Sequence, residues 1–223
     1  MTGMRKKLLL IAVAMVTVSA VVATQYARAD LSFSYTVVHP SQGFIRFIGG
    51  DNNTNGERIF QGNNGTTTFS LSFGDDITLG MNKTYTAAFA IVNEEGFKVN
   101  ITDIDVAGDS NYIKVWLHGD PTQDASSEAG AVLMWDGSNG DPDNSYWTLG
   151  AGNGNPSDMS DDGTTQISTP CDYSNDVRYC EDTTAATNGT SDYVWVQVTI
   201  IAYNANMGDY SGTITFYFEA STH

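Results

Sequence analysis

Basic residues, cysteine and histidine are all scarce in this chain of 223 residues, and each shortage closes off a class of function. Ten Lys and Arg stand against 26 Asp and Glu, a formal charge of −16. Four of the bases (Arg5, Lys6, Lys7 and Arg28) lie in the first 29 residues, where there is no acid. Residues 30–223 therefore hold six bases against 26 acids, or −20. A surface of that sign repels phosphate backbones and anionic headgroups, so we expect neither nucleic acid nor an acidic membrane as partner. The three histidines, His39, His118 and His223, form no H-E-x-x-H pattern, and no G-x-S-x-G is present. Nothing in the chain reads as a zinc or serine hydrolase, and we expect no enzyme. Beyond residue 23 no apolar run reaches membrane length, and no stretch repeats with the 3.6-residue period of an amphipathic helix. With 41% hydrophobic and 11% aromatic residues against 16% charged, the chain has ample material for a core.

What is present begins with an export signal. Arg5-Lys6-Lys7 precedes an apolar stretch from Leu8 to Ala23, and Ala27-Arg28-Ala29 supplies the small-x-small pattern of signal peptidase. Residues 1–29 read as a signal peptide to be removed, leaving a protein that starts at Asp30, has no membrane segment and is extracellular. Residues 30–43 read as an N-terminal strand and linker, and 44–223 as one domain.

Within that domain, strand patterns alternate with Gly-, Asn- and Asp-rich loops. Phe44–Ile48, Thr66–Phe73, Thr84–Val92, Phe97–Val106, Tyr112–Leu117, Ala131–Trp135, Tyr193–Tyr203 and Thr213–Phe218 all read as strands. Asn93-Glu94-Glu95-Gly96 suggests a hairpin joining two of them. Tyr193–Tyr203 is apolar on both faces, as a central strand would be, and Thr213–Phe218 is expected to pair with it. Residues from about 136 to 192 are poor in apolar side chains and read as long acidic surface loops. The expected class is all-β, an antiparallel, jelly-roll-like β-sandwich with a protruding N-terminal donor strand.

That N-terminal strand, Asp30 to Val38, sets Leu31, Phe33, Tyr35 and Val37 on one face and Ser32, Ser34 and Thr36 on the other. It is either the first strand of its own domain or a strand donated to a neighbouring copy, where main-chain hydrogen bonds and alternate pockets would hold it. Burying four such side chains contributes roughly 6–12 kcal/mol before ordering costs. Head-to-tail donation does not close on itself, so it propagates as a filament. Together with Thr84-Tyr85-Thr86-Ala87-Ala88-Phe89-Ala90-Ile91-Val92-Asn93, this arrangement resembles the TasA/camelysin-related filament proteins, and among them the archaeal bundling pilins. The resemblance implies a jelly-roll subunit that polymerises by donor-strand complementation. It further implies a homopolymer with lateral filament–filament contacts supporting bundling, adhesion and biofilm formation.

Other residues carry further expectations. Cys171 and Cys180, nine residues apart in an exported chain, suit one disulfide. Asn52, Asn64, Asn82, Asn100 and Asn188 each open an N-x-[ST] triplet and are candidates for N-linked glycans. Asp103, Asp105 and Asp109, then Asp136, Asp141 and Asp143, and also Asp158, Asp161 and Asp162, offer the hard oxygen ligands that a structural Ca²⁺ takes, though without a specific spacing. No other cofactor is expected. The rival function is a secreted monomeric carbohydrate-binding module. Its stacking platform would draw on Trp116, Trp135, Tyr146, Trp147 and Trp195, with Tyr146-Trp147 the pair expected outside the core.

Overall fold

In a computed structural model the described residues are 45–49, 60–61, 70–73, 77, 80–152, 171–174, 177–180, 185–203, 205–206 and 208–221. The chain divides into two compact units, Met1–Val37 and Val38–His223, and every described residue belongs to the second. The signal peptide and the strand carrying Leu31, Phe33, Tyr35 and Val37 lie outside the described residues. So do Asn52, Asn64, Asp158, Asp161 and Asp162.

The described strands are β1 (Ile45–Gly49), β2 (Phe60–Gln61), β3 (Ser70–Leu71), β4 (Asn82–Asn93), β5 (Val99–Gly108) and β6 (Ile113–His118). They continue with β7 (Val132–Trp135), β8 (Trp147–Leu149), β9 (Cys171–Ser174), β10 (Val177–Cys180), β11 (Tyr193–Ile201) and β12 (Gly212–Ala220). The fold is all-β, two sheets packed face to face. The larger runs β7-β6-β11-β4-β10-β9, with β1 also on β4; the smaller runs β12-β5-β8; β2 and β3 pair apart. Pairing is antiparallel except where Val177 and Arg178 of β10 run parallel to Thr84 and Tyr85 of β4, a departure from the wholly antiparallel expectation.

Each expected strand segment contains a strand in its described part, shorter at the ends in several cases (Ser72–Phe73, Phe97–Lys98 and Ala202–Tyr203 lie outside the strands), but the pairing differs. Asn93–Gly96 is not a hairpin. β4 pairs with β11 and β1 in the larger sheet, while β5 pairs with β12 and β8 in the smaller one, so the chain crosses between layers. The buried Asn93 side chain makes the corner. Its Nδ2 donates to the carbonyls of Phe97 (2.9 Å) and Gly150 (2.6 Å), and its Oδ1 accepts from the Glu95 amide (3.0 Å). Likewise β12 does not pair with β11. Both edges of β11 are taken, by β4 and β6, so β12 must find its partner in the other layer. Residues 136–192 are also more than loops. They contribute β8, β9 and β10, with Trp147 and Leu149 buried in the core.

The interior of the sandwich is lined by alternate residues of the long strands, including Phe89 and Ile91 on β4, Val115 and Leu117 on β6, and Val194, Val196 and Val198 on β11, while on β5 a register shift against β12 sets Ile101 and Ile104, three apart, on the same side. Phe89 also reaches across to Phe216 of β12, with ring centroids 6.0 Å apart.

Ten consecutive residues of β4, Thr84 to Asn93, are buried. A strand buried on both faces needs cover on each side, and the outer cover is the segment 119–131, which roofs part of the larger sheet. Its anchors lie on the sheet's outer face. The register of β11 on β4 jumps from Val196↔Phe89 to Val198↔Tyr85, so Thr86, Ala87 and Ala88 bulge opposite Gln197. At that bulge Thr86 Oγ1 donates to the Pro121 carbonyl, and the Thr86 carbonyl accepts from His118 Nε2 at 2.6 Å. Gln197 Oε1 takes the Ala125 amide (2.8 Å) and its Nε2 donates to Asp124 Oδ1 (2.9 Å).

Candidate functional site

Two features of this architecture stand out from the packed core. The first is a sheet edge. β12 reads Gly-Thr-Ile-Thr-Phe-Tyr-Phe-Glu-Ala, alternating apolar residues with Thr and Tyr, which is strong strand material. Phe216 is buried and Ile214 and Phe218 are partly buried against the core, while Tyr217 points outward, 48% exposed. Phe216 packs on Phe89 and on Phe47 of β1, and Phe47 lies 6.0 Å from Phe89, so three rings tie this edge to the facing sheet.

Among the described residues β12 pairs on one side only, with β5. The other sheet ends are shorter or blocked. β7 has four residues and meets Gly140 through the Trp135↔Gly140 bridge, and β9 has four. The free part of β5 is covered where Gly140 lies against the Ile104 carbonyl, so closely that a Cβ there would collide with it. The nine residues of β12 carry no proline, no lysine and no inward charge, the usual devices that blunt an edge.

The second feature is the unroofed part of the larger sheet's outer face. Beside the segment 119–131 lies a groove of about 300 Å³, floored by cross-strand rungs. Lys114, Thr199 and Thr84 make one rung across β6, β11 and β4, and Trp116 and Gln197 the next. Asn82 lies in the groove at one end and Asp124 of the roof at the other. Burial opposes ionisation of Asp124, but hydrogen bonds from Gln197 and Ser126 and the nearby His118 outweigh it and lower its pKa.

The roof itself is clamped by His118 and Glu128. Glu128 Oε1 accepts from the Gly119 amide at 2.9 Å, and the Asp120 amide lies 3.2 Å from each carboxylate oxygen. Burial again opposes ionisation, and the His118 hydrogen bond and charge with these amides overcome it, so the Glu128 pKa is lowered. The clamp was illegible in the sequence, where His118 reads as an isolated histidine.

The remaining candidates separate. Cys171 and Cys180 are direct cross-strand partners on β9 and β10. Opposed antiparallel residues have Cα atoms about 4.5–5.5 Å apart, inside the range a disulfide spans. Among the sequons, Asn82 and Asn188 are exposed and Asn100 is partly exposed. Asn100 and Asn188 converge on Thr148: Asn188 Oδ1 takes its amide and Asn100 Oδ1 its hydroxyl, both at 2.9 Å.

The acidic candidates do not gather. Among the described residues no group of three or more His, Cys, Asp or Glu is placed to hold a metal ion. Asp136 caps its turn through the Ser138 and Asn139 amides, and these hydrogen bonds lower its pKa. Asp141, at φ 41°, accepts from the Ser145 amide, and Asp109 from that of Ser211. Asp103 and Asp105 stand exposed on the outer face of β5, and Asp143 is exposed in its loop.

The five-aromatic platform also dissolves. Trp135, Trp147 and Trp195 are buried at 7%, 2% and 1% exposure; Tyr146 is 56% exposed, and Trp116 lines the groove. Alternation on β8 splits the pair expected outside the core, sending Trp147 inward. Among the described residues no helix is long and apolar enough to cross a membrane. Compared with known protein families and with curated proteins, the chain matches none.

Proposed function

We propose that the chain is an exported structural subunit that polymerises head to tail into an extracellular filament, each copy donating residues 30–38 to the β12 edge of the next. The observation that carries this reading is the edge itself. β12 is nine residues long, strongly strand-forming, tied to the core by Phe216 and paired on one side only among the described residues. The proposed donor, Asp30–Val38, is also nine residues long and alternates in the same way. Laid beside β12, it would extend the three-stranded sheet and bring Leu31, Phe33, Tyr35 and Val37 to the apolar side of that sheet. The sandwich and the acidic surface are in keeping with the TasA/camelysin resemblance, which adds bundling and biofilm cohesion to the proposal.

Negative-stain electron microscopy of residues 30–223 tests it. Long uniform fibres are expected, and none from a variant lacking residues 30–38. A synthetic peptide of residues 30–38 should bind that truncated variant, raise its melting temperature and block co-polymerisation. Fibres formed equally well by the truncated variant, or a peptide that leaves its melting temperature unchanged, would overturn the donation mechanism.

A further inference from the structure

The groove on the outer face of the larger sheet lies on the opposite side of β4, β6 and β11 from the core, and the filament reading makes no use of it. Its residues combine three chemistries. Trp116 is the one partly exposed tryptophan of four, and it supplies an aromatic ring beside the polar rungs, with Ile201 opposite Asn82 the other apolar lining residue. Lys114 supplies N–H donors, while the lowered pKa of Asp124 keeps a carboxylate acceptor at the rim. Thr84 and Thr199, their hydroxyls 3.1 Å apart, add groups that both donate and accept.

A ligand matching this set has a ring with an apolar face to stack on Trp116 and an equatorial fringe of hydroxyls to meet the donors and acceptors. One cation and one carboxylate in the groove favour a ligand without net charge. The volume, about 300 Å³, stands at the small end of ligand sites. We propose that this groove binds a neutral saccharide, stacked on Trp116 and hydrogen-bonded between Lys114 and Asp124.

Two sources offer that chemistry. One is a foreign glycan. The other is the chain's own, because Asn82 opens an N-x-[ST] triplet, is exposed and lies in the groove. Because Trp135, Trp147 and Trp195 are buried, acrylamide quenching of intrinsic fluorescence reports chiefly on Trp116.

The test titrates maltotriose, cellotriose and mannotriose into the full-length secreted protein and into its Asn82→Gln variant, with trigalacturonate as a charged control. At least one neutral trisaccharide should protect the fluorescence saturably, with a Kd of about 1 mM or tighter. Trp116→Ala and Lys114→Met, checked for native circular dichroism, should each weaken that binding about tenfold or more. Binding by both proteins assigns the groove to foreign glycans, and binding by Asn82→Gln alone assigns it to the chain's own. Protection by none of the three sugars in either protein, or binding that survives both substitutions, overturns the proposal.

Discussion

His118 and Glu128 face each other at 2.8 Å, Nδ1 to Oε2, with His118 fully buried and its other ring nitrogen on the Thr86 carbonyl. A carbonyl and an ionised carboxylate both only accept, so each ring nitrogen of His118 faces an acceptor. The pair ties the end of β6 and the roof that follows it in the chain to the bulge of β4, some thirty residues earlier.

This contact predicts acid sensitivity. Asp120, Asp124 and Glu128 all have lowered pKa values; in each, burial opposes ionisation, and hydrogen bonds (from Thr122 and Gln123, from Gln197 and Ser126, and from His118 and two backbone amides, respectively) together with the charge of the nearby His118 outweigh it. A carboxyl whose folded pKa is lowered adds stability that is complete above its unfolded value and is lost as pH falls through the folded one. Thermal melts should therefore hold steady near neutrality and fall on acidification below about pH 4. Glu128→Gln should cost roughly 3 kcal/mol at neutral pH and flatten that acid slope. A slope unchanged in the variant would show that the clamp does not govern it.

The corner at Asn93 predicts a second sensitive position. Asn93→Ala removes three hydrogen bonds and strands the Gly150 and Phe97 carbonyls and the Glu95 amide. A loss of roughly 2–4 kcal/mol is expected from chemical denaturation. Asn93→Asp should fare no better, since a carboxylate cannot donate to either carbonyl.

At the β12 edge, Phe216→Ala should cost about 3–4 kcal/mol, because the ring is buried against Phe47 and Phe89. The neighbouring Tyr217→Ala removes a ring that is 48% exposed and should cost less than about 1 kcal/mol. Urea unfolding of the two variants side by side checks the contrast.

The pairing of Cys171 with Cys180 in the β9–β10 register predicts a disulfide. Intact mass after alkylation without reductant should show no modified thiol. Cys171→Ser with Cys180→Ser should lower stability by about 2–3 kcal/mol, the value for closing a loop of this size.

Strand positions were legible because their signal is local: short apolar runs such as Thr84–Val92 and Tyr193–Tyr203 announce β4 and β11 without reference to any distant partner. Partnership was not, because it depends on which edges remain free once distant strands have paired. The same turn residues, Asn93 to Gly96, serve a hairpin or a crossover, and only the occupation of β4 by β11 and β1 decides between them. Trp147 looked exposed because its neighbours in sequence are polar, whereas on a strand burial follows parity, not neighbourhood. The roof left one trace, the consecutive buried residues of β4, whose apolar character on both faces calls for a second cover. Nothing in the spacing of His118 and Glu128 named the clamp that holds it.

The crossed pairing also has a consequence in time. β4 waits for β11, and β5 waits for β12, each across about a hundred residues of chain. Neither sheet can close its centre until the segment Tyr193–Ala220 has been synthesised. Such high contact order makes folding slow. A chain emerging from the ribosome therefore stays open through most of its translation, with the apolar faces of β4 and β5 waiting for partners not yet made.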